Sequence, residues 1–213
     1  MNLKKKTAHS VKESRVVKKP EERKNELLDI ALKLFMQKGY ENTSVKDIYT
    51  EAKGSFGMFY HHFKSKEEIF SQAMDKFAAL FTGKLSSILL DREVPYTDRY
   101  NAFLKHYIEF LKGRDKVSGN KFGKIDILVF RTLNFKLLSE SIHPIELFIE
   151  EGKEKGILLV ENVHHTAVFL IYGIWGNIYE EAKRTGSNKN AKNILSQLSN
   201  FIPWNLKPET TIP

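Results

Sequence analysis

Along most of the chain, hydrophobic residues recur every three to four positions, the spacing that puts side chains on one face of an α-helix. Leu27, Ile30, Ala31, Leu34 and Phe35 fall at i, i+3, i+4, i+7 and i+8. Pro20, Glu21 and Glu22 suit the start of that helix, and Lys38 with Gly39 its stop. Val45, Ile48 and Ala52 continue the pattern in a short second segment, and Phe59 and Phe63, four apart, give a third segment an inward face. Three serines each cap a segment: Ser44 with Asp47 three residues on, Ser55 ahead of Phe56, and Ser65 with Glu68 three residues on.

After Ser65, the positions Ile69, Ala73, Phe77, Leu80, Phe81, Lys84, Leu85 and Ile88 describe one long helix. Residues 91–95 break it. Residues 96–112 carry Tyr100, Phe103, Leu104, Tyr107, Ile108 and Leu111 on one side, and 113–123 read as a polar loop. Further helices are predicted over 125–138, over 144–156 from Pro144 to Gly156, over 164–183 and over 190–202. No strand pattern or internal repeat is present. The expected fold is all-α, with about nine helices: an N-terminal three-helix unit followed by a C-terminal helical bundle.

Charge sharpens this picture. The formal net charge is +8, and residues 1–66 hold 15 Lys and Arg against 8 Asp and Glu, while residues 67–213 hold 19 against 18. A basic excess confined to one end points to a polyanion, and nucleic acid fits better than membrane because no amphipathic apolar stripe accompanies Lys4, Lys5 and Lys6. There is no cysteine, so disulfides and cysteine metal sites are excluded. No apolar run reaches membrane-spanning length, and the charged N-terminus lacks the apolar core of a secretory signal, so a cytoplasmic location is expected. The expected organisation is a disordered basic arm at 1–20, a DNA-binding unit at 21–66, a helical domain at 67–205 and a tail at 206–213.

Only Lys53 and Gly54 separate the second and third helices, a turn tight enough to cross them steeply as in a helix-turn-helix, with the glycine expected to take a positive φ. Ser44 and Ser55 sit at helix starts, where free backbone N–H groups favour phosphate. Phe56, Gly57 and Met58 open the third helix, the part that enters a major groove in such motifs. Phe56 and Met58 cannot make bidentate hydrogen bonds to bases, so contact with thymine methyl groups and an AT-leaning site are expected.

From about Arg23 to Phe70 the chain resembles the DNA-binding domain of the TetR family of bacterial transcriptional regulators. The resemblance is carried by the pattern LxxALxLFxxKGYxxTSVxDI from Leu28 to Ile48, followed by Ser55, Gly57, Tyr60, Phe63, Lys64, Ser65, Lys66, Glu67 and Glu68 in the family's order. Phe56, Met58 and Lys53 depart from the residues usual there. The resemblance implies backbone-phosphate contacts from Tyr60, His61 and Lys64, a double-stranded DNA operator as partner, and a small effector bound in the C-terminal domain. Aromatic residues in that domain, with scattered polar partners, are candidates to line an effector pocket: Phe77, Phe81, Phe103, His106, Tyr107, Phe110, Phe130, Asn134, Phe148, Tyr172 and Trp175. It also implies a homodimer built from the last two helices, with Gly173, Gly176, Ile194, Leu195, Leu198 and Phe201 at the interface.

The alternatives are a nonspecific DNA-binding structural protein and, more remotely, an enzyme using the C-terminal pocket. The run from Gly119 to Lys124 is one residue short of a phosphate-binding loop between its glycines, lacks the following Ser or Thr, and follows no strand. The adjacent pairs His61–His62 and His164–His165 point different ways around a helix, so neither metal nor cofactor is expected. No catalytic constellation emerges, and the chain reads as a ligand-responsive repressor rather than an enzyme.

Overall fold

A computed structural model of the chain describes residues 19–117, 127–185 and 193. Among these there are seven helices and no strand: α1 (Pro20–Lys38), α2 (Val45–Glu51), α3 (Phe56–His62), α4 (Lys66–Leu89), α5 (Tyr96–Val117), α6 (Ile127–Glu154) and α7 (Val163–Thr185). The all-α expectation holds. Seven helices stand among the described residues where about nine are expected for the chain, in one place for a physical reason: the segments expected at 125–138 and 144–156 are one helix, α6, with Pro144 inside it. Proline there removes one backbone hydrogen bond, a cost of about 3 kcal/mol. Burial of Leu137, Leu138, Ser141, Ile145 and Phe148 on both sides of it offsets that cost and keeps the helix continuous. The helix expected at 190–202 lies outside the described residues apart from Asn193, as do nearly all of the arm and the whole tail. Residues 113–117, expected in a loop, extend α5.

The first three helices are fixed by local chemistry. Ser44 Oγ accepts from the Asp47 amide at 3.1 Å while Asp47 accepts from the Ser44 amide at 2.9 Å, a reciprocal cap that also holds the Asp47 carboxyl below its usual range. Ser55 accepts from the Met58 amide and Ser65 from the Glu68 amide. Thr43, fully buried, donates its hydroxyl to the Gly39 carbonyl at 2.7 Å, satisfying an end group of α1 and fastening it to the start of α2. Tyr40 packs among Phe35 and Phe70 and donates to Glu67 at 2.8 Å. Burial, then that carboxylate, push its hydroxyl up to about 12.

α4 packs against α1 on one side and against α5 and α6 on the other. The buried apolar side chains form one cluster running from Leu27 in α1 to Ile178 in α7. Ala73, Met74, Ala78 and Leu85 lie on the buried side of α4, while Leu80, expected inside, is 65% exposed. At the far end of α4, Arg99 from α5 is buried, donates to the Leu89 carbonyl at 2.7 Å and forms a two-pronged ion pair with Glu151 of α6.

Candidate nucleic-acid interface and effector layer

Phe59 and Phe63 are buried, which anchors α3 on the core and turns its opposite face to solvent. On that face Phe56, 63% exposed, lies against Tyr60 with ring centroids 4.4 Å apart. Gly57 and His61 are exposed beside them, and Ser44, Ser55 and Lys64 are exposed around the edge. Lys46, Lys53 and Lys64 are also exposed and form no salt bridge among the described residues, so their charge is available to an anion. His62 is only half-exposed; partial burial, then the neighbouring His61, lower its pKa, so it is neutral at neutral pH. Met58 is half-buried, with its side chain folded toward the turn and packed on the core.

The turn corrects one expectation. Lys53, not Gly54, takes the left-handed conformation, at φ +50°. Gly54 sits under the flexible end of Met58: a Cβ there would lie 2.6 Å from Met58 Sδ, so the methionine would have to swing aside. The amides of Lys53 and Gly54 close the turn by donating to Thr50 at 2.9 Å and Tyr49 at 2.7 Å. A residue beyond glycine is uncommon at such a φ, and lysine there places its charge at the edge of the reading face.

In the C-terminal part, the structure brings most of the candidate aromatics into one layer. Phe77 of α4 meets Phe110 of α5 at 5.8 Å, Phe81 meets Phe110 at 4.7 Å, and Trp175 of α7 meets Tyr107 at 5.7 Å and Phe110 at 6.3 Å. His106 stacks on Phe81 at 4.9 Å. Its Nε2 and the Oδ1 of Asn134 are buried without a hydrogen-bond partner among the described residues. Phe103 and Phe148 instead line a neighbouring apolar cavity of about 50 Å³, walled also by Tyr100, Leu104, Leu170 and Ile174. The side chain of Phe130 lies outside the described residues. Tyr172 is not part of the layer: it is about half exposed on the outer face of α7 with Phe169, Gly173 and Gly176. Of the residues expected at a dimer interface, Ile194, Leu195, Leu198 and Phe201 fall outside the described residues.

Sequence reasoning missed the pair Arg99–Glu151. Arg99 Nη2 lies 2.5 Å from Glu151 Oε1 and Lys155 Nζ 2.6 Å from the same oxygen. Hydrogen bonding from Arg99, then from Lys155, holds the Glu151 carboxyl down to about 2 against the opposing effect of burial. Arg99 also packs over the rings of Tyr96 and Phe148, which stack 4.1 Å apart. The one available signal was Arg99 falling three residues after Tyr96 on an otherwise apolar helix face. Elsewhere, Glu146 takes His164 at 2.5 Å on the outer surface, and no group of three His, Asp or Glu among the described residues is disposed to hold a metal. No helix among them is long and apolar enough to cross a membrane.

Two short capped helices joined by a closed turn, an exposed face on the second, and free lysines around it define a DNA-binding transcriptional regulator of the helix-turn-helix type. Residues 27–73 match the model of bacterial regulatory proteins of the tetR family. Over 132 residues the chain is 31% identical to the transcriptional repressor DhaR of Mycobacterium sp. (strain GP1), covering 61% of this chain and 67% of that one. It is 23% identical over 182 residues to the repressor NemR of Escherichia coli (strain K12), covering 83% and 92%. The crystal structure of reduced E. coli NemR superposes with a TM-score of 0.68 at 20% identity, covering 89% of this chain and 100% of that one. The chain belongs to the TetR family.

Proposed function

We propose that this protein is a cytoplasmic, ligand-responsive repressor that binds a palindromic operator as a homodimer. The observation that carries the reading is the outer face of α3, where Phe56 and Tyr60 stand exposed on a helix whose other face is locked into the core. Phe56 and Gly57 would enter the major groove, with Met58 contributing from the turn side, and apolar contact with thymine methyl groups would favour AT-containing half-sites. Ser44, Ser55, Tyr60, His61 and Lys64 would hold the flanking phosphates. Residues 21–66 would form the DNA-binding unit and 67–205 the effector-binding and dimerisation domain.

The effector reading is supported by the aromatic layer and by two buried polar atoms, His106 Nε2 and Asn134 Oδ1, that have no hydrogen-bond partner among the described residues. The dimer reading is supported by the outer face of α7: Phe169 is 74% exposed, and a Cβ added at Gly173 or Gly176 meets nothing within 4 Å, leaving room for another helix. A two-fold dimer would present two α3 helices to successive major grooves about 34–36 Å apart. An effector would lower operator affinity by preferring a different separation of the two units, transmitted along α4.

Selecting bound fragments from the source genome, then titrating the recovered site, tests the reading. Phe56→Ala is expected to relax base preference, and Lys64→Ala to weaken all sites alike and reduce the salt slope by about 1. Affinity indifferent to sequence, with a steep salt slope, would instead identify a nonspecific binder.

A further inference from the structure

The most exposed ring on the outer face of α3 is fixed from beneath. Phe56 is 63% exposed, yet its ring lies 4.4 Å from that of Tyr60. Tyr60 in turn meets Phe59 edge-on at 5.2 Å, and Phe59 meets Phe63 at 5.8 Å. Phe59 and Phe63 are buried in the same core cluster as Leu27 and Ile69. Four rings therefore run from the core to solvent, each in contact with the next. Residues four apart on a helix are neighbours, so Tyr60 backs Phe56 before any DNA arrives.

A ring held at that place has one chemistry to offer a base. It carries no atom that donates or accepts a conventional hydrogen bond, so it does not pair with purine N7, guanine O6 or the cytosine amino group. It can take water off an apolar group, and the apolar substituent that a base edge presents in the major groove is the methyl on carbon 5 of a pyrimidine. Thymine and 5-methylcytosine carry that methyl alike. Met58, the other apolar side chain at the start of α3, is half-buried and turned toward Gly54, which leaves the contact to Phe56. Around the ring the exposed Lys46, Lys53 and Lys64 give the face the charge that suits a groove walled by phosphates.

We infer that Phe56 reads the 5-methyl group itself, whichever pyrimidine bears it, with Tyr60 as its positioning residue, so that operator binding responds to methylation of cytosine at carbon 5. The inference rests on the regulator reading and deepens it, since the group recognised becomes a 5-methylpyrimidine rather than thymine alone. Burial of one methyl corresponds to about a fourfold change in affinity at each half-site.

Binding titrations of the full chain on the selected operator test this. Replacing each thymine in turn by uracil removes the methyl and nothing else, and at one position of a half-site affinity should fall about fourfold. With a cytosine–guanine pair placed at that position, methylating the cytosine at carbon 5 should raise affinity by the same factor. Both increments should vanish in Phe56→Ala, whose exposed ring is not part of the core. Tyr60→Ala should shrink them, whereas Tyr60→Phe, which keeps the ring and removes the hydroxyl, should preserve them even as binding to all sites weakens. Equal binding of thymine and uracil at every position overturns the inference, as does a methyl increment that survives Phe56→Ala. An increment untouched by Tyr60→Ala removes the positioning role of Tyr60. Sequence-specific binding without a methyl increment removes methyl reading alone, whereas absence of any preferred DNA site removes the regulator reading with it.

Discussion

Neutralising Glu151 by Glu151→Gln would test the buried ion pair at the far end of α4. Glu151 and Arg99 have side chains only 5% and 1% exposed, so removing one charge leaves the other buried without its counter-ion. Losses of that kind run to about 3–5 kcal/mol. The carboxyl itself gives an independent figure: its folded value of about 2 against an ordinary 4.5 corresponds to about 3 kcal/mol. Because the folded value is depressed, this stabilisation is present above about pH 4.5 and is lost as pH falls through about 2. About 2 kcal/mol of it should be gone by about pH 3. Urea unfolding of wild type and Glu151→Gln should therefore differ by about 3 kcal/mol at neutral pH and by about 1 at pH ~3, with unchanged m-values. Since every other carboxylate titrates in both proteins, the difference isolates this one. A gap that stays constant with pH, or one below about 1 kcal/mol at neutral pH, would refute the reasoning.

Three further substitutions probe features of the fold. Lys53→Gly relieves the left-handed strain at φ +50° but makes the unfolded chain more flexible, so stability should rise by no more than about 1 kcal/mol. DNA affinity should fall at the same time, with a salt slope lower by about 1, as a binding titration at two ionic strengths would read. Thr43→Val removes the hydroxyl that serves the Gly39 carbonyl and should cost about 1–2 kcal/mol, lowering the thermal midpoint by several degrees. Gly152→Ala places a Cβ against the Tyr96 ring and 2.8 Å from Leu158 Cδ1. It should weaken the bond from Tyr96 to the Phe148 carbonyl and cost about 1–3 kcal/mol in denaturant unfolding.

The parts legible in the sequence are those decided within a few residues. The caps at Ser44, Ser55 and Ser65 form because serine and the amide three residues on are neighbours whatever the rest of the chain does. Phe59 and Phe63 are buried because spacing by four fixes them on one face. Pro144 misled for the complementary reason: it is a local stop signal overridden by packing with distant residues. Arg99 and Glu151 are 52 positions apart, and nothing periodic links them. The aromatic residues were visible as a set, but composition does not sort them between layer, cavity and surface. For Tyr172 the spacing did hold the answer, since Phe169, Tyr172, Gly173 and Gly176 share a helical face opposite the buried Ile171, Ile174 and Ile178.

α4 is common to both parts, and the size of its contacts decides how the parts can influence one another. Tenfold control of operator affinity needs about 1.4 kcal/mol of coupling. Two adjacent residues of α4 reach in opposite directions, Lys76 to Asp29 of α1 at 2.5 Å and Asp75 to Lys136 of α6. They look like a relay, but Asp29 is 64% and Asp75 51% exposed, and such pairs contribute about 0.2–1 kcal/mol each. The apolar contact is larger: Phe70 lies edge-on to Phe35 at 5.1 Å, and Ile69 and Ala73 are wholly buried within the same cluster. Exposing two or three methylene equivalents there costs about 2 kcal/mol, enough for tenfold control by itself. On the proposed reading, a shift of α4 therefore reaches α1 through packing, and the surface ion pairs trim the coupling rather than carry it.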